Sequence, residues 1–372
     1  PAGMAGRGGT AMSEEEMKRD SHLMDLLKSA VSQDASDIFL IPGMPAAFKI
    51  HGQIQSISDQ KIYPDEMDGY IRAIYALTGG RTMKRVLETG DDDFSFSVKD
   101  LSRFRASVMK QRGSLAAVIR LVRFTLPSPD QLHIPESILG LSQLSKGLVL
   151  VTGPAGSGKS TTLACIIDRI NRTRTAHVIT LEDPIEFLHR HQKSVVTQRE
   201  VGLDTDSYVD GLRAALRQAP DVILLGEMRD YETISIAMTA AETGHLVIST
   251  LHTTGAANTI DRIIDIFPAN AQQQIRVQLS MVLQAVVSQQ LVPTTDGRLT
   301  PAFELMFVNK AIRNMIRESK IHQIDNMIAS GAASGMISMD GSLIKLFKDG
   351  LITKDTAVTY SQDSEQLQAR LR

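Results

Sequence analysis

The sequence predicts an α/β protein: a core of strands and helices in alternation, preceded by a smaller α+β domain and followed by a helical C-terminal region. Three observations predict it. A glycine-rich loop, Gly153-Pro-Ala-Gly-Ser-Gly-Lys-Ser160, lies between a short apolar run and a helical stripe. Further apolar runs and helical stripes then alternate, the pattern of a parallel sheet. Before residue 126 the alternation has period two instead, interrupted by helical stretches.

At 372 residues the chain can bury two cores. Its glycine-rich opening, residues 1–13, reads as a loose tail, with Met12 as an alternative start. Residues 14–30 place Leu23, Leu26, Leu27 and Ala30 on one side of a helix. Ile38 and Leu40 then alternate with Asp37 and Phe39. Pro42-Gly-Met-Pro45 turns the chain into residues 47–51, which completes a hairpin-like unit. A helix is expected from Pro64 to about Leu77. Phe94, Phe96 and Val98 alternate, as do Phe104, Ala106 and Val108, and residues 116–122 are strongly apolar. Residues 14–126 therefore read as the small α+β domain.

Pro127, Pro129 and Pro135 disfavour helix and strand alike and mark a linker over 127–136. The core is expected over 137–300, with strands at 147–152, 176–182, 221–225 and 245–251. Ile234, Ala237, Met238 and Ala241 form a helical stripe that Gly244 ends. From Pro301 to residue 372 the chain reads as mainly helical.

Composition narrows the class. With 40 Lys+Arg against 42 Asp+Glu there is no global basic field to attract nucleic acid. The single cysteine, Cys165, excludes an internal disulfide and a four-cysteine zinc site. No apolar run approaches the ~20 residues that span a bilayer. These features point to a soluble cytoplasmic protein.

The loop carries the first piece of chemistry. Gly153, Gly156 and Gly158 let the backbone turn its N–H groups onto phosphate oxygens. Pro154, Ala155 and Ser157 fill the loop. Lys159 reaches the β- and γ-phosphates, the Ser160 hydroxyl can ligate Mg²⁺, and Thr161 continues into the helix. Leu163, Ile166, Ile167 and Ile170 make that helix amphipathic, with its N-terminus aimed at the phosphates. A strand–loop–helix unit of this completeness commits the chain to ATP or another nucleoside triphosphate.

Carboxylates are needed to order the metal and the attacking water, and strand ends supply them. Asp221-Val-Ile-Leu-Leu-Gly-Glu227 is an apolar strand ending in Glu227, a second metal-site candidate beside Ser160. Leu181-Glu-Asp-Pro-Ile-Glu186 is an acidic cluster after another strand, in which Glu182 is the candidate for polarising water. His252 closes the next strand and is placed to sense the γ-phosphate or the acidic cluster. Taken singly, each also fits an ordinary strand end or turn.

Together these motifs resemble the secretion and type IV pilus motor ATPases. Residues 182–187 are similar to that family's aspartate box, 221–230 to its atypical Walker B, and 244–254 to its histidine box. The resemblance runs from about Asp34 to the C-terminus. It implies a RecA-like P-loop ATPase core, a PAS-like N-terminal domain and a homohexameric ring. It further implies that Arg105 and Arg120 reach the nucleotide from the N-terminal domain, a task suited to the planar guanidinium. Without the resemblance, Arg103 and Arg105 alternating with Phe104 and Ala106 describe a solvated strand face.

Two features select a branch. Pilus-assembly and type II secretion ATPases carry a four-cysteine metal module, which one cysteine rules out. Residues 311–318, Ala-Ile-Arg-Asn-Met-Ile-Arg-Glu, are similar to an element of the pilus-retraction branch, with Met315 in place of leucine. Ile312, Met315 and Ile316 are expected to pack inward, leaving Arg313, Arg317 and Glu318 opposite. The resemblance thus implies a Mg²⁺-dependent ATPase driving pilus retraction and twitching motility at the inner face of the membrane. Its implied partners are the inner-membrane pilus platform protein and a paralogous retraction ATPase. Alternatives are an accessory paralogue, a secretion or assembly ATPase, and a DNA-handling ATPase. Neutral charge and the absence of tryptophan count against the last, so no nucleic acid partner is expected.

Overall fold

The structure, a computed structural model, describes residues 14–50, 52–122 and 126–371; the tail expected over 1–13 lies outside them, as does His51. The chain divides into two units, Pro1–Phe124 and Thr125–Arg372. The described residues form a six-stranded sheet in the first and a seven-stranded sheet in the second.

The first unit runs α1 (Glu14–Ser32), β1 (Asp37–Leu40), β2 (Pro45–Ile50), β3 (Gln53–Lys61), α2 (Pro64–Ala76), α3 (Lys84–Thr89), β4 (Asp91–Val98), β5 (Ser102–Gln111) and β6 (Ser114–Val122). Its antiparallel sheet has the order β3-β2-β1-β6-β5-β4. Leu23, Leu26 and Leu27 of α1 and Met67, Ile71 and Ile74 of α2 pack with Ile38, Phe48, Phe104 and Ile119 in one core. The period-two alternation is what makes this work: Phe104, Ala106 and Val108 all point into it. Nothing in the sequence pattern marks strand β3, because nearly all of its residues are exposed and it carries no apolar face.

The second unit opens with α4 (Glu136–Leu139), β7 (Gly147–Thr152), α5 (Lys159–Thr173), β8 (His177–Glu182) and β9 (Val195–Glu200). It continues through α6 (Tyr208–Ala215), β10 (Val222–Leu225), α7 (Tyr231–Glu242), β11 (Leu246–Leu251), α8 (Ala256–Asp265) and α9 (Gln272–Val282). Then come β12 (Leu283–Pro293), β13 (Leu299–Phe307), α10 (Lys310–Arg317), α11 (Ile324–Ser330), α12 (Met339–Lys348), α13 (Lys354–Thr359) and α14 (Ser364–Arg370). The sheet order is β13-β12-β7-β11-β10-β8-β9, parallel except for the β12–β13 hairpin.

Alternate residues of the central strands feed opposite layers. Val149, Val151, Val222 and Leu224 pack with Ile166, Ile167 and Ile170 of α5. Leu148, Leu150, Ile223 and Leu225 pack with α7, α8 and α9 on the other face. With both faces covered, every residue of β7 and β11 is buried. The RecA-like core with a smaller α+β region and helices toward the C-terminus is the fold class that the sequence predicts.

One difference concerns Pro301. The sequence pattern puts helix from that residue onward, but the strand β13 runs to Phe307 and the helices resume at Lys310. Pro301 pairs with Leu291 on the outermost strand of the sheet, where a missing N–H costs no ladder bond on the open side.

Candidate functional site

Register builds the site. Thr152 of β7 lies beside Leu251 of β11, Ser249 beside Leu225 of β10, and Leu225 beside Leu181 of β8. The parallel strands therefore end together, and the residues next in the chain emerge on one edge: Gly153, His252, Gly226 with Glu227, and Glu182. Ligands of open parallel sheets bind at this edge. A cavity of about 340 Å³ opens there, lined among others by Gly156, Lys159, Ser160, Glu182, Glu227 and His252.

The loop between β7 and α5 needs its glycines. Gly153, Gly156 and Gly158 have φ of +141°, +75° and +86°. A Cβ on Gly153 would lie 2.0 Å from the Gln289 carbonyl oxygen, so β12 leaves no room for a side chain. Gln289 is a residue that sequence reasoning missed. Its Oε1 also accepts from Thr162 Oγ1 at 2.7 Å, which holds the loop from below. Its position on an unforeseen strand hid it.

Lys159 is buried and curls onto its own loop, with Nζ donating to the carbonyls of Gly153 (2.8 Å) and Pro154 (2.9 Å). Burial pushes its ammonium below the usual lysine range, against the pull of Glu186 and Glu227. Ser160 Oγ donates to Glu186 Oε1 at 3.0 Å. The sequence marks Glu186 only as part of an acidic cluster; the loop after β8 brings it onto the Ser160 hydroxyl.

Glu182 accepts from Thr180 Oγ1 (2.6 Å) and Gln198 Nε2 (3.2 Å), the latter from β9. Burial pushes its carboxyl up to about 6, while those two hydrogen bonds hold it back. Glu227 Oε2 forms an ion pair with Arg229, whose Nε lies 2.8 Å away, and His252 Nε2 lies 3.3 Å away. From the sequence, His252 is expected to face the γ-phosphate or the acidic cluster at 181–186; its described partner is Glu227. Tyr208, also unforeseen, lines the same cavity, and no hydrogen-bond partner holds its hydroxyl among the described residues. Burial, with Glu227, Asp183 and Glu182 around it, holds that hydroxyl above the ordinary tyrosine range, so it remains a donor.

The oxygen donors suit Mg²⁺. That ion takes one or two carboxylates or hydroxyls and fills its remaining positions with water and phosphate oxygens. Ser160 and Glu186, in contact, with Glu182 and Glu227 lining the same cavity, are the groups that could hold it; no three acidic or histidine side chains cluster as a preformed metal site among the described residues.

Arg105 and Arg120 belong to the first unit. They are direct partners across β5 and β6, and Arg120 is also opposite Asp37 of β1. Arg120 Nε donates to Asp37 Oδ1 at 2.9 Å while its side chain stays mostly exposed. The two arginines stand side by side on one face of that sheet.

Helix α10 is capped by Asn309, whose side chain accepts from the Ile312 N–H. Ile312 and Ile316 are fully buried, and Met315 packs partly against them. Arg313 departs from its expected place on the free face. Its guanidinium donates to the carbonyls of Ser280 (2.6 Å) and Met281 (2.9 Å), satisfying the C-terminal end of α9. Arg317 and Glu318 are exposed, as expected.

A phosphate loop on a parallel sheet, faced by acidic strand ends, defines a RecA-like P-loop nucleotide-binding protein. The chain belongs to the family described as "Type II/IV secretion system protein", which matches residues 12–336. It is 42% identical over 346 residues to a "Twitching motility protein" of Neisseria gonorrhoeae, covering 93% of this chain and 92% of that one. It is 43% identical over 335 residues to the "Type IV pilus retractation ATPase PilT" of Pseudomonas aeruginosa, covering 90% and 96%. Among solved structures, the pilus retraction motor PilT with bound ADP superposes with a TM-score of 0.85 at 46% identity, covering 93% of this chain and 98% of that one. No described helix is long and apolar enough to cross a membrane.

Proposed function

We propose that the chain is an ATP-hydrolysing motor that works as a homohexamer to retract a type IV pilus, acting on the inner-membrane platform protein at the pilus base. The observation that carries the reading is the shared cavity. A lysine, a hydroxyl, two strand-end glutamates and a histidine converge within it. The resemblance to retraction ATPases over nine-tenths of the chain supports the direction of work.

Phosphates occupy the loop 153–161, and Lys159 leaves its loop carbonyls to meet them. Ser160 would hold Mg²⁺ and Glu227 would order it, and when bound the ion would neutralise charge on the phosphates. Glu182 orients the attacking water, and its raised pKa keeps it basic enough to take a partial proton. His252 beside Glu227 reports the state of the γ-phosphate to the strand end. Arg105 and Arg120 are the arginines assigned to the nucleotide from the first unit, in a closure that couples hydrolysis to movement. A paralogous retraction ATPase is a further partner.

The test is turnover of the purified chain with Mg²⁺ and ATP, against Lys159→Ala. Wild-type hydrolysis abolished by the substitution supports the reading. Undiminished turnover in the variant sinks it.

A further inference from the structure

Glu304 sits in β13, on the part of the chain expected to be helical, and is 1% exposed. A carboxylate so buried is costly unless donors surround it. Its Oε1 accepts from the N–H of Ala256 at 2.7 Å, and its Oε2 from Gln362 Nε2 at 2.8 Å. Burial, with the charge of Asp325, holds its carboxyl above the ordinary glutamate range, while those two donors favour the charged form. Ala256 is the first residue of α8. The carboxylate thus serves the N-terminus of that helix, where N–H groups lack partners and negative charge is favoured.

The position of α8 gives this functional weight. Ala256 follows His252 by one short loop, 253–255, between the strand end and the helix. Gly255 in that loop has φ +87° and donates its N–H to Ser288 Oγ at 2.9 Å. A Cβ on it would lie 3.5 Å from Gln362 Nε2. Gln362 in turn donates its backbone N–H to Asp340 Oδ1 at 2.8 Å. A mostly buried polar chain therefore runs from the histidine loop through Glu304 to the segment before α14 and the start of α12.

We propose that Glu304 is a positioning residue: through Ala256 it fixes the loop that sets His252 against Glu227, and through Gln362, whose backbone N–H donates to Asp340 of α12, it ties that loop to the C-terminal helices. This deepens the hydrolytic reading of the site and rests on it.

The test is a double-mutant cycle in the full chain, measuring ATP turnover of wild type, Glu304→Gln, His252→Ala and the double variant. Glu304→Gln is expected to leave KM within about twofold and to lower kcat on the order of 10- to 100-fold, as displaced catalytic groups do. In the His252→Ala background it should cost nothing further. An equal fall in both backgrounds, or a rise in KM with kcat unchanged, overturns the proposal. If Glu304→Gln does not fold, Gln362→Ala takes its place in the same cycle, and the same outcomes support or overturn the proposal.

Absence of turnover in the wild type refutes the hydrolytic reading itself, and shows in that arm alone. Deuterium exchange then decides the proposal. Glu304→Gln should raise uptake in 253–258 and in 339–342 together; loosening of one without the other overturns it.

Discussion

The Ser160 hydroxyl donates to the Glu186 carboxylate at 3.0 Å, joining the first turn of α5 to the acidic loop after β8. In the proposed function this hydroxyl turns to Mg²⁺, and the exposed Glu186 carboxylate keeps it oriented until then. Ser160→Ala should raise the Mg²⁺ concentration for half-maximal turnover about tenfold, the equivalent of ~1.4 kcal/mol. Glu186→Gln keeps an acceptor and should shift it less. A Mg²⁺ titration that is unchanged in Ser160→Ala contradicts this arrangement.

Glu182 carries a pH signature. Its carboxyl stands at about 6 in the fold, against an ordinary value of 4.5. The folded chain therefore binds more protons than the unfolded one between those values. The stability that the group contributes is present below about pH 4.5 and is lost as pH rises through about 6, a difference of ~2 kcal/mol. Glu182→Gln should accordingly gain up to ~2 kcal/mol of stability at pH 7 while losing at least ~100-fold in kcat. With the ionised carboxylate orienting the water, as proposed, the wild-type kcat should fall on the acid side near pH 6. Denaturant melts and a pH–rate profile check both; a flat profile from pH 5 to about 8 would contradict the assignment.

The two arginines of α10 should separate. Arg313 holds the last carbonyls of α9, so Arg313→Ala should cost about 1–3 kcal/mol and lower Tm. Arg317 is exposed and its guanidinium donates to Asn314 one turn back. Arg317→Ala should leave Tm and ATP turnover unchanged while impairing retraction. Thermal melts and turnover of the two variants check this. Equal destabilisation by both would show that the helix presents no free face.

The central strands were legible because burial on both faces writes a continuous apolar run, as in Gly147–Thr152 and Val222–Leu225. Once those strands are parallel and in register, Gly153, Glu182, Glu227 and His252 must share an edge, so most of the site was legible too. The β12–β13 hairpin was not. Ser288, Gln289 and Gln290 interrupt its apolar pattern, and Pro301 reads as a breaker although it sits on an edge strand. Gln289 and Glu304 were lost with it, since both owe their roles to contacts between segments far apart in sequence. Arg313 misled for a related reason: helical periodicity places it outward, and only the end of α9 draws it in.

In the proposed function, hydrolysis at this site drives retraction. The decisive measurement counts surface pili on cells in which the native gene is replaced by one encoding Lys159→Ala. Excess, non-retracting pili and lost twitching are expected. Bare cells would mean that the motor assembles pili, and normal pili with normal twitching would remove the chain from retraction altogether.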